Sequence, residues 1–300
     1  MDGKMSSNVG ALFMITSRLC GGSGNQLFQW AIVRSLQLDT NIPRPEGAQY
    51  DISWFDGNPS RCYVLDAFGL KLPLVRGYSG RIIDEGSLRF RPEILMLSGD
   101  FTLRGYWQCE KYFQRIEHRI RREVFDGVQF SSKTLEIQYK ILANPPSAFL
   151  HVRRSDNRSP GSKAFHGLLD LNYYNAAANY IRSKVPGVHF YIFSDEPNWC
   201  KENFQDNDIT IVDHNSWSGT VDENGSITKR DNGKEHEDMY LMSLCSHGVV
   251  ANSSFSWWGA WLNSNEGHQE RIIIAPKAWF VVGPDKADSI DIIPDRWIRL

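Results

Sequence analysis

The chain has 300 residues, of which 41% are hydrophobic and 23% are charged, enough to bury one large core or the cores of two domains. Its 33 basic and 35 acidic side chains leave a formal net charge of −2, so no overall field attracts nucleic acid, and we expect no nucleic-acid partner. Five cysteines without CxxC spacing favour a reducing, cytoplasmic setting over a disulfide framework. The short apolar stretch near the N-terminus predicts neither a signal peptide nor stable membrane insertion.

The first half of the chain begins with the opening unit of an α/β domain. An apolar strand at 11–19 runs into a glycine-rich turn and then into a helix after Asn25. A later helix is predicted at roughly 109–125. "NPPS" at 144–147 then interrupts the chain, because two consecutive prolines cannot continue a helix. We therefore predict two domains, 1–146 and 147–300.

The second half of the chain alternates between strands and helices. Strands are predicted at 148–154, 188–195, 209–213, 248–252 and 271–276. Helices are predicted at 171–184, 196–204, 235–247 and 254–264, and a loop rich in Gly, Asn and Ser at 214–234. This alternation predicts a parallel sheet flanked by helices. The predicted fold class is therefore α/β, with two Rossmann-like domains that face a cleft.

Polar side chains follow four of the predicted strands, at 151–154, 193–196, 212–214 and 251–254. Ligands of parallel α/β sheets bind beyond the carboxyl ends of the strands. The guanidinium groups of Arg153 and Arg154 suit phosphate, and the serine-rich start of the last predicted helix also favours an anion. Asp195 or Asp213 can accept hydrogen bonds from a base such as guanine. The pattern predicts a nucleoside-diphosphate site, although both arginines can instead pair only with local carboxylates.

Other motifs give weaker signals. "GGSGNQ" at 21–26 nearly matches a dinucleotide fingerprint, but Leu27 replaces the third glycine, which argues against a nicotinamide cofactor. "DND" at 206–208 resembles a metal–diphosphate motif, yet exposed turn residues explain it equally well. No Cys/His cluster has the spacing of metal ligands, so we expect no metal. Three tryptophans share helical spacing, and we expect at least two in the core: Trp257, Trp258 and Trp261.

Several motifs in a fixed order carry a family resemblance. They are "GGSGNQLFQWA" (21–31), "RGYWQCEKYF" (104–113), "HVRRSD" (151–156), "LNYYNAA" (171–177), "EDMYLMSLCSH" (237–247), "ANSSFSWWGAWL" (251–262), "IIIAPKAWF" (272–280) and the final "DRWIRL". The sequence resembles the bacterial α-1,2-fucosyltransferases, which move fucose from GDP-fucose to a galactoside hydroxyl. The match runs almost from end to end. The His-x-Arg-Arg-x-Asp pattern is shared more widely, with α-1,6- and protein O-fucosyltransferases.

The resemblance implies a GT-B fold and an inverting, metal-independent enzyme whose partners are GDP-fucose and a galactoside-containing oligosaccharide. It implies that Arg153 meets the leaving β-phosphate and that Asn25 reaches across the cleft. Asp195 is our choice for guanine recognition. Glu110, Asp156 and His151 remain open as general bases. The other implied donor-site residues are His151, Arg154, Asp156, Gly24, Asn252, Ser253, Ser254 and Ser256.

Three alternatives from other classes stay open. A fucosyltransferase of another linkage or acceptor would share the donor site. A kinase would need a phosphate loop, but the sequence has no GxxxxGK[ST]. A glycan-binding protein without activity would have no use for a diphosphate pocket. The sequence does not identify the acceptor or the oligomeric state; a lipid-linked acceptor would imply a cytoplasmic protein held peripherally at the inner membrane.

Overall fold

The structure, a computed structural model, describes most of the chain. The described ranges are 14–39, 47–78, 80–144, 146–154, 167–215, 219–221, 227–230, 233–263, 271–280 and 289–300.

The first half forms a five-stranded parallel sheet in the order β3-β2-β1-β5-β4. Its strands are β1 Met14–Arg18, β2 Gly47–Asp51, β3 Leu74–Val75, β4 Arg81–Asp84 and β5 Phe101–Arg104. Its α-helices are α1 Ser23–Leu38, α2 Glu117–Glu123 and α3 Ser132–Ala143. Helix α1 is buried along most of its length, and its buried residues include the polar Ser23, Gln26, Gln29 and Ser35 as well as its apolar side chains.

The second half forms a six-stranded parallel sheet in the order β13-β12-β11-β6-β7-β8. Its strands are β6 Ser147–Val152, β7 His189–Ser194, β8 Ile209–Val212, β11 His247–Val249, β12 Ile273–Ala275 and β13 Ile298–Arg299. An antiparallel pair stands apart from this sheet, with β9 Gly219–Val221 and β10 Ile227–Arg230. The α-helices are α4 Leu171–Lys184, α5 Pro197–Asn203, α6 Glu235–Leu244 and α7 Ser254–Trp261. All six residues of β6 are buried, as expected for a central parallel strand.

The predicted α/β class and the strand–glycine turn–helix opening are confirmed. The helix predicted at 109–125 is confirmed only for its second half, α2, because the chain first makes two 3₁₀ turns, Glu110–Tyr112 and Gln114–Ile116. Phe113 separates the turns, and its ring stacks on Trp258 with centroids 5.4 Å apart, so tertiary packing overrides the local helical pattern. The loop predicted at 214–234 contains the β9–β10 pair.

Helices from the two halves share one hydrophobic core. The ring of Phe28 in α1 lies 4.5 Å from Trp257 and 5.0 Å from Trp258 in α7, between centroids. Trp257, Trp258 and Trp261 are all fully buried, which confirms that these tryptophans belong to the core. The chain passes from one sheet to the other between the end of α3 and the start of β6; the division into domains 1–146 and 147–300 stays a prediction.

Candidate active site

A cavity of about 710 Å³ lies between the two halves of the chain. Its first wall is built by the β1–α1 turn, the end of β4 and the end of β5, and its second wall by the ends of β6 and β7 and by the β11–α7 turn. Each of these segments follows the carboxyl end of a parallel strand, which is where α/β sheets bind ligands. The cavity is therefore the candidate active site.

Arg153 and Ser253 meet in the second wall. Arg153 follows β6, and its Nη1 donates a hydrogen bond to Ser253 Oγ at 3.2 Å. Ser253 is the N-cap of α7, where its Oγ accepts from the N–H of Phe255 at 3.3 Å. A guanidinium group at the N-terminus of a helix, where the helix dipole is positive, forms a favourable anion-binding site.

The start of α1 also reaches the cavity, where Gly24 touches the start of α7. A Cβ at Gly24 would lie 2.4 Å from the backbone carbon of Ser254, so only glycine allows this approach. Trp258 Nε1 donates to the carbonyl oxygen of Gly24 at 2.9 Å. Asn25 lines the cavity, and its Oδ1 accepts from Gln108 Nε2 at 2.7 Å. Two helix N-termini, one from each half, thus open into the same space.

Other predicted donor-site residues line the second wall. His151 is buried, with its ring centroid 5.4 Å from that of Phe255. The Oδ1 atom of Asp195 accepts the backbone N–H of Arg154 at 2.9 Å. Asn252 is buried, and its Nδ2 lies 3.5 Å from the carbonyl oxygen of Trp279. Ser254 lines the cavity as well. The structure thus brings together Gly24, Asn25, His151, Arg153, Asp195, Asn252, Ser253 and Ser254.

Arg154 and Ser256 do not line the cavity. The guanidinium carbon of Arg154 lies 3.9 Å from the centroid of Trp199, and its Nε donates to Glu196 Oε2 at 3.3 Å. Arg154 therefore shows the local carboxylate pairing that the sequence left open. Ser256 is fully buried, and its Oγ accepts from the backbone N–H of Ala251 at 3.2 Å, so it supports the start of α7 from behind.

The predicted general bases are dispersed. Glu110 lies outside the cavity lining, where its Oε1 accepts from Arg296 Nη1 at 2.6 Å and its Oε2 from Trp261 Nε1 at 2.9 Å. Both of its oxygens therefore link separate parts of the fold. Asp156 lies outside the described residues. Asp213, the alternative to Asp195, pairs with Lys201 Nζ at 2.6 Å and does not line the cavity.

Sequence reasoning missed three of the four carboxylates in the described cavity lining: Glu85, Glu235 and Asp238. Glu85 follows β4 in the first wall, and burial raises its pKa although it accepts two backbone hydrogen bonds. Asp238 lies on α6 in the second wall, and its Oδ1 accepts from Asn215 Nδ2 at 2.8 Å. Burial, together with nearby Glu237, raises the pKa of Asp238 to about 7. Asp238 lies in the motif "EDMYLMSLCSH" (237–247), one of those that carry the family resemblance. Glu85 could not be found in this way, because no strand was predicted before it and it lies in none of the motifs.

Within the described ranges, no three His, Cys, Asp or Glu side chains come together as a metal-binding group. Across the same ranges, none of the helices combines the length and apolar character that crossing a bilayer requires.

The chain is similar in sequence to known glycosyltransferases. The profile of glycosyl transferase family 11 matches residues 88–290, and the chain belongs to this family. The chain is similar to the α-1,2-colitosyltransferase of Escherichia coli, at 27% identity over 96% of this chain and 99% of that one. It is also similar to galactoside α-(1,2)-fucosyltransferase 2 of Pongo pygmaeus, at 24% identity over 55% of this chain and 46% of that one.

One solved structure that aligns with this chain is the fucosyltransferase NodZ from Bradyrhizobium. The TM-score is 0.44 at 14% identity, with 82% of this chain and 92% of that one covered. The family match confirms the resemblance seen in the motifs. The two parallel sheets that face the cleft form the expected GT-B arrangement.

Proposed function

We propose that the protein transfers L-fucose from GDP-β-L-fucose to the 2-hydroxyl of a terminal β-galactoside, with inversion to an α-1,2 linkage. The observation that carries this proposal is the contact between Arg153 and Ser253 at the N-terminus of α7, inside a cavity into which α1 also opens. This arrangement suits the negative charge of a diphosphate. The family match supports sugar transfer rather than binding alone.

The main chemical task is to stabilise the charge that develops on GDP as it leaves. Fucose departs with oxocarbenium character, and one displacement on the face opposite GDP converts the β-linked donor into an α-fucoside. Arg153, fixed by its bond to Ser253, would meet the β-phosphate oxygen. Losing one preorganised donor of this kind typically lowers the rate by about 10²–10³. We propose that no metal ion takes part, and EDTA should then leave the rate unchanged.

Recognition of guanine needs an acceptor for the N–H groups of the base. Asp195 is our proposed residue for this contact, because it lies in the second wall beside Arg153. Asp238 lines the same wall and is held by Asn215, so it is a further candidate for the nucleoside end. Asp195→Asn should weaken GDP binding more than ADP binding, as measured by calorimetric titration.

The acceptor would lie against the first wall. Trp54 and Tyr106 line this part of the cavity, and Tyr106 is 40% exposed. Aromatic faces of this kind suit the apolar face of a galactose ring, whereas the polar groups of Ser60 and Gln108 suit its hydroxyls. We therefore propose that acceptor choice depends on this wall. A lipid-linked acceptor would bring the protein to the cytoplasmic face of a membrane peripherally.

A donor carrying colitose is the second candidate, because the relative that aligns over nearly the whole chain is a colitosyltransferase. The two donors differ only in the sugar, so the diphosphate contacts proposed above serve both. The test is to measure transfer rates with lactose as acceptor and either GDP-fucose or GDP-colitose as donor. We expect GDP-fucose to have the higher kcat/KM. A higher kcat/KM for GDP-colitose would mean that colitose, not fucose, is the transferred sugar. Absence of transfer from either donor would refute the proposed function.

A further inference from the structure

The carboxylate of Glu85 lies in the cavity wall formed by the first half of the chain. Arg153 and Ser253 lie in the wall formed by the second half. In an inverting transfer, the attacking hydroxyl approaches the sugar from the side opposite the leaving group. A base for that hydroxyl therefore belongs on the wall that does not hold the diphosphate. The other carboxylates in the described cavity lining belong to the second wall: Asp195, Glu235 and Asp238.

The fold holds the Glu85 carboxylate in one position. Its Oε2 accepts the backbone N–H of Tyr106 and its Oε1 that of Trp107, both at 2.7 Å. The chain at Gly105 passes so close that a Cβ there would lie 2.3 Å from the Cβ of Glu85. Arg91 fixes the backbone of Glu85, because its Nη1 donates to the Glu85 carbonyl oxygen at 2.6 Å. Since a carboxylate has about four acceptor positions, the two backbone N–H groups leave acceptor capacity for a further hydrogen bond.

The surroundings of Glu85 make its carboxylate a stronger proton acceptor than an exposed glutamate. Burial raises the pKa of the carboxyl, and the two backbone N–H groups and Arg91 lower it only in part. The other titratable groups that face it are Cys20, Tyr106 and Tyr112. Burial raises the pKa of each of these three, so they stay neutral at pH 7. A general base works best when its pKa lies near the working pH.

We propose that Glu85 is the general base of the transfer reaction. Its carboxylate accepts the proton of the acceptor hydroxyl while that oxygen bonds to C1 of the fucosyl group. The bond from C1 to the β-phosphate oxygen breaks, and GDP leaves with the electron pair toward Arg153. This role rests on the proposed function, because it assumes a hydroxyl acceptor and a diphosphate on the second wall.

The first test compares Glu85→Gln with Asp84→Asn. Asp84 is the neighbouring carboxylate, which pairs at the surface with Arg104 and does not line the cavity. We expect Glu85→Gln to lower kcat for transfer to lactose at least 100-fold, within the range that general bases supply, with the Kd for GDP changed less than threefold. Asp84→Asn should keep kcat within twofold of the wild type.

Two readouts separate a base from a structural residue. At saturating donor, kcat of the wild type should fall as the pH drops through the raised pKa of Glu85, whereas the residual kcat of Glu85→Gln should lack this decline. Azide is a nucleophile that carries no proton, so formation of fucosyl azide from GDP-fucose should be as fast in Glu85→Gln as in the wild type. Glu85→Asp keeps the charge on a shorter side chain, and it should regain part of kcat and the pH dependence.

Each possible result either supports or refutes the role of Glu85 as general base. Wild-type levels of lactose transfer in Glu85→Gln would refute the base role while leaving the proposed function intact. An equal loss with lactose and azide in Glu85→Gln, without recovery in Glu85→Asp, would also refute it, because Glu85 would then only support the wall. Should Glu85→Gln fail to fold, Glu85→Asp decides by its pH profile. Absence of transfer by the wild type itself would contradict the proposed function as well.

Discussion

Gly24 is the point at which a single added methyl group should separate the two helix N-termini of the cavity. In Gly24→Ala, the new Cβ would lie 2.4 Å from the backbone carbon of Ser254, 2.6 Å from its oxygen and 2.7 Å from the nitrogen of Phe255. All three are backbone atoms, so no side chain can rotate away. Carbon atoms prefer separations of about 3.5–4.0 Å, so α1 and α7 must move apart by about 1 Å.

The cost of this movement follows from the contacts that it disturbs. Overpacking in a well-packed region typically costs about 1–3 kcal/mol. The hydrogen bond from Trp258 Nε1 to the Gly24 oxygen, if lost, removes about 1 kcal/mol more. We therefore expect Gly24→Ala to lower the free energy of unfolding by about 2–4 kcal/mol, as measured by urea denaturation. Because the N–H groups of both helices then no longer converge, we expect GDP to bind at least tenfold more weakly.

The control is Gly57→Ala, at an exposed glycine with no atom within 4 Å of the added Cβ. Its φ lies outside the left-handed region, so the substitution should change the free energy of unfolding by less than about 1 kcal/mol. GDP affinity should equal that of the wild type. A Gly24→Ala variant that unfolds like Gly57→Ala and binds GDP equally well would refute the proposed contact between the two helices.

Three further predictions follow from the site. Glu110→Gln should lower the free energy of unfolding by about 1–3 kcal/mol, because it breaks a partly exposed ion pair with Arg296. It should keep kcat within threefold of the wild type; a 100-fold loss of kcat would instead support Glu110 as the general base. Arg153→Ala should lower kcat by about 10²–10³ while Arg154→Ala keeps it within tenfold, and equal losses would contradict their different placement. The folded state raises the pKa of Asp238 to about 7, so the contribution of Asp238 to the free energy of unfolding should decrease as the pH rises from about 4 to about 7. Asp238→Asn should lack this fall in urea denaturation, and a parallel pH profile would contradict the raised pKa.

The second sheet was predictable because its elements carry local signals. The predicted helix at 171–184 matches α4, which begins after Asp170, whose side chain accepts from the N–H of Tyr173 at 3.0 Å. Strand β6 is one uninterrupted buried run. The carboxyl ends of parallel strands share one edge, so the placement of Arg153 and Asp195 at that edge followed from their positions at the ends of predicted strands.

The remaining parts of the site depend on contacts between distant segments. Glu85 follows a short, largely exposed strand, and its burial comes from the backbone of Tyr106 and Trp107, about twenty residues further along. Glu110 is held by partners 151 and 186 residues away. A local sequence pattern does not indicate contacts with residues so far away in the chain. The sequence therefore indicates which residue types are present, but the fold decides which of them face the cavity.

The product of one reaction shows whether the protein transfers fucose to the 2-hydroxyl of galactose with inversion. Purified protein, GDP-fucose and lactose are incubated with EDTA, and the linkage and anomeric configuration of the product are determined by NMR. We expect an α-fucosyl group on the 2-hydroxyl of galactose, formed without metal. A β-fucoside, a fucosyl group on another hydroxyl or complete dependence on added metal would contradict this expectation.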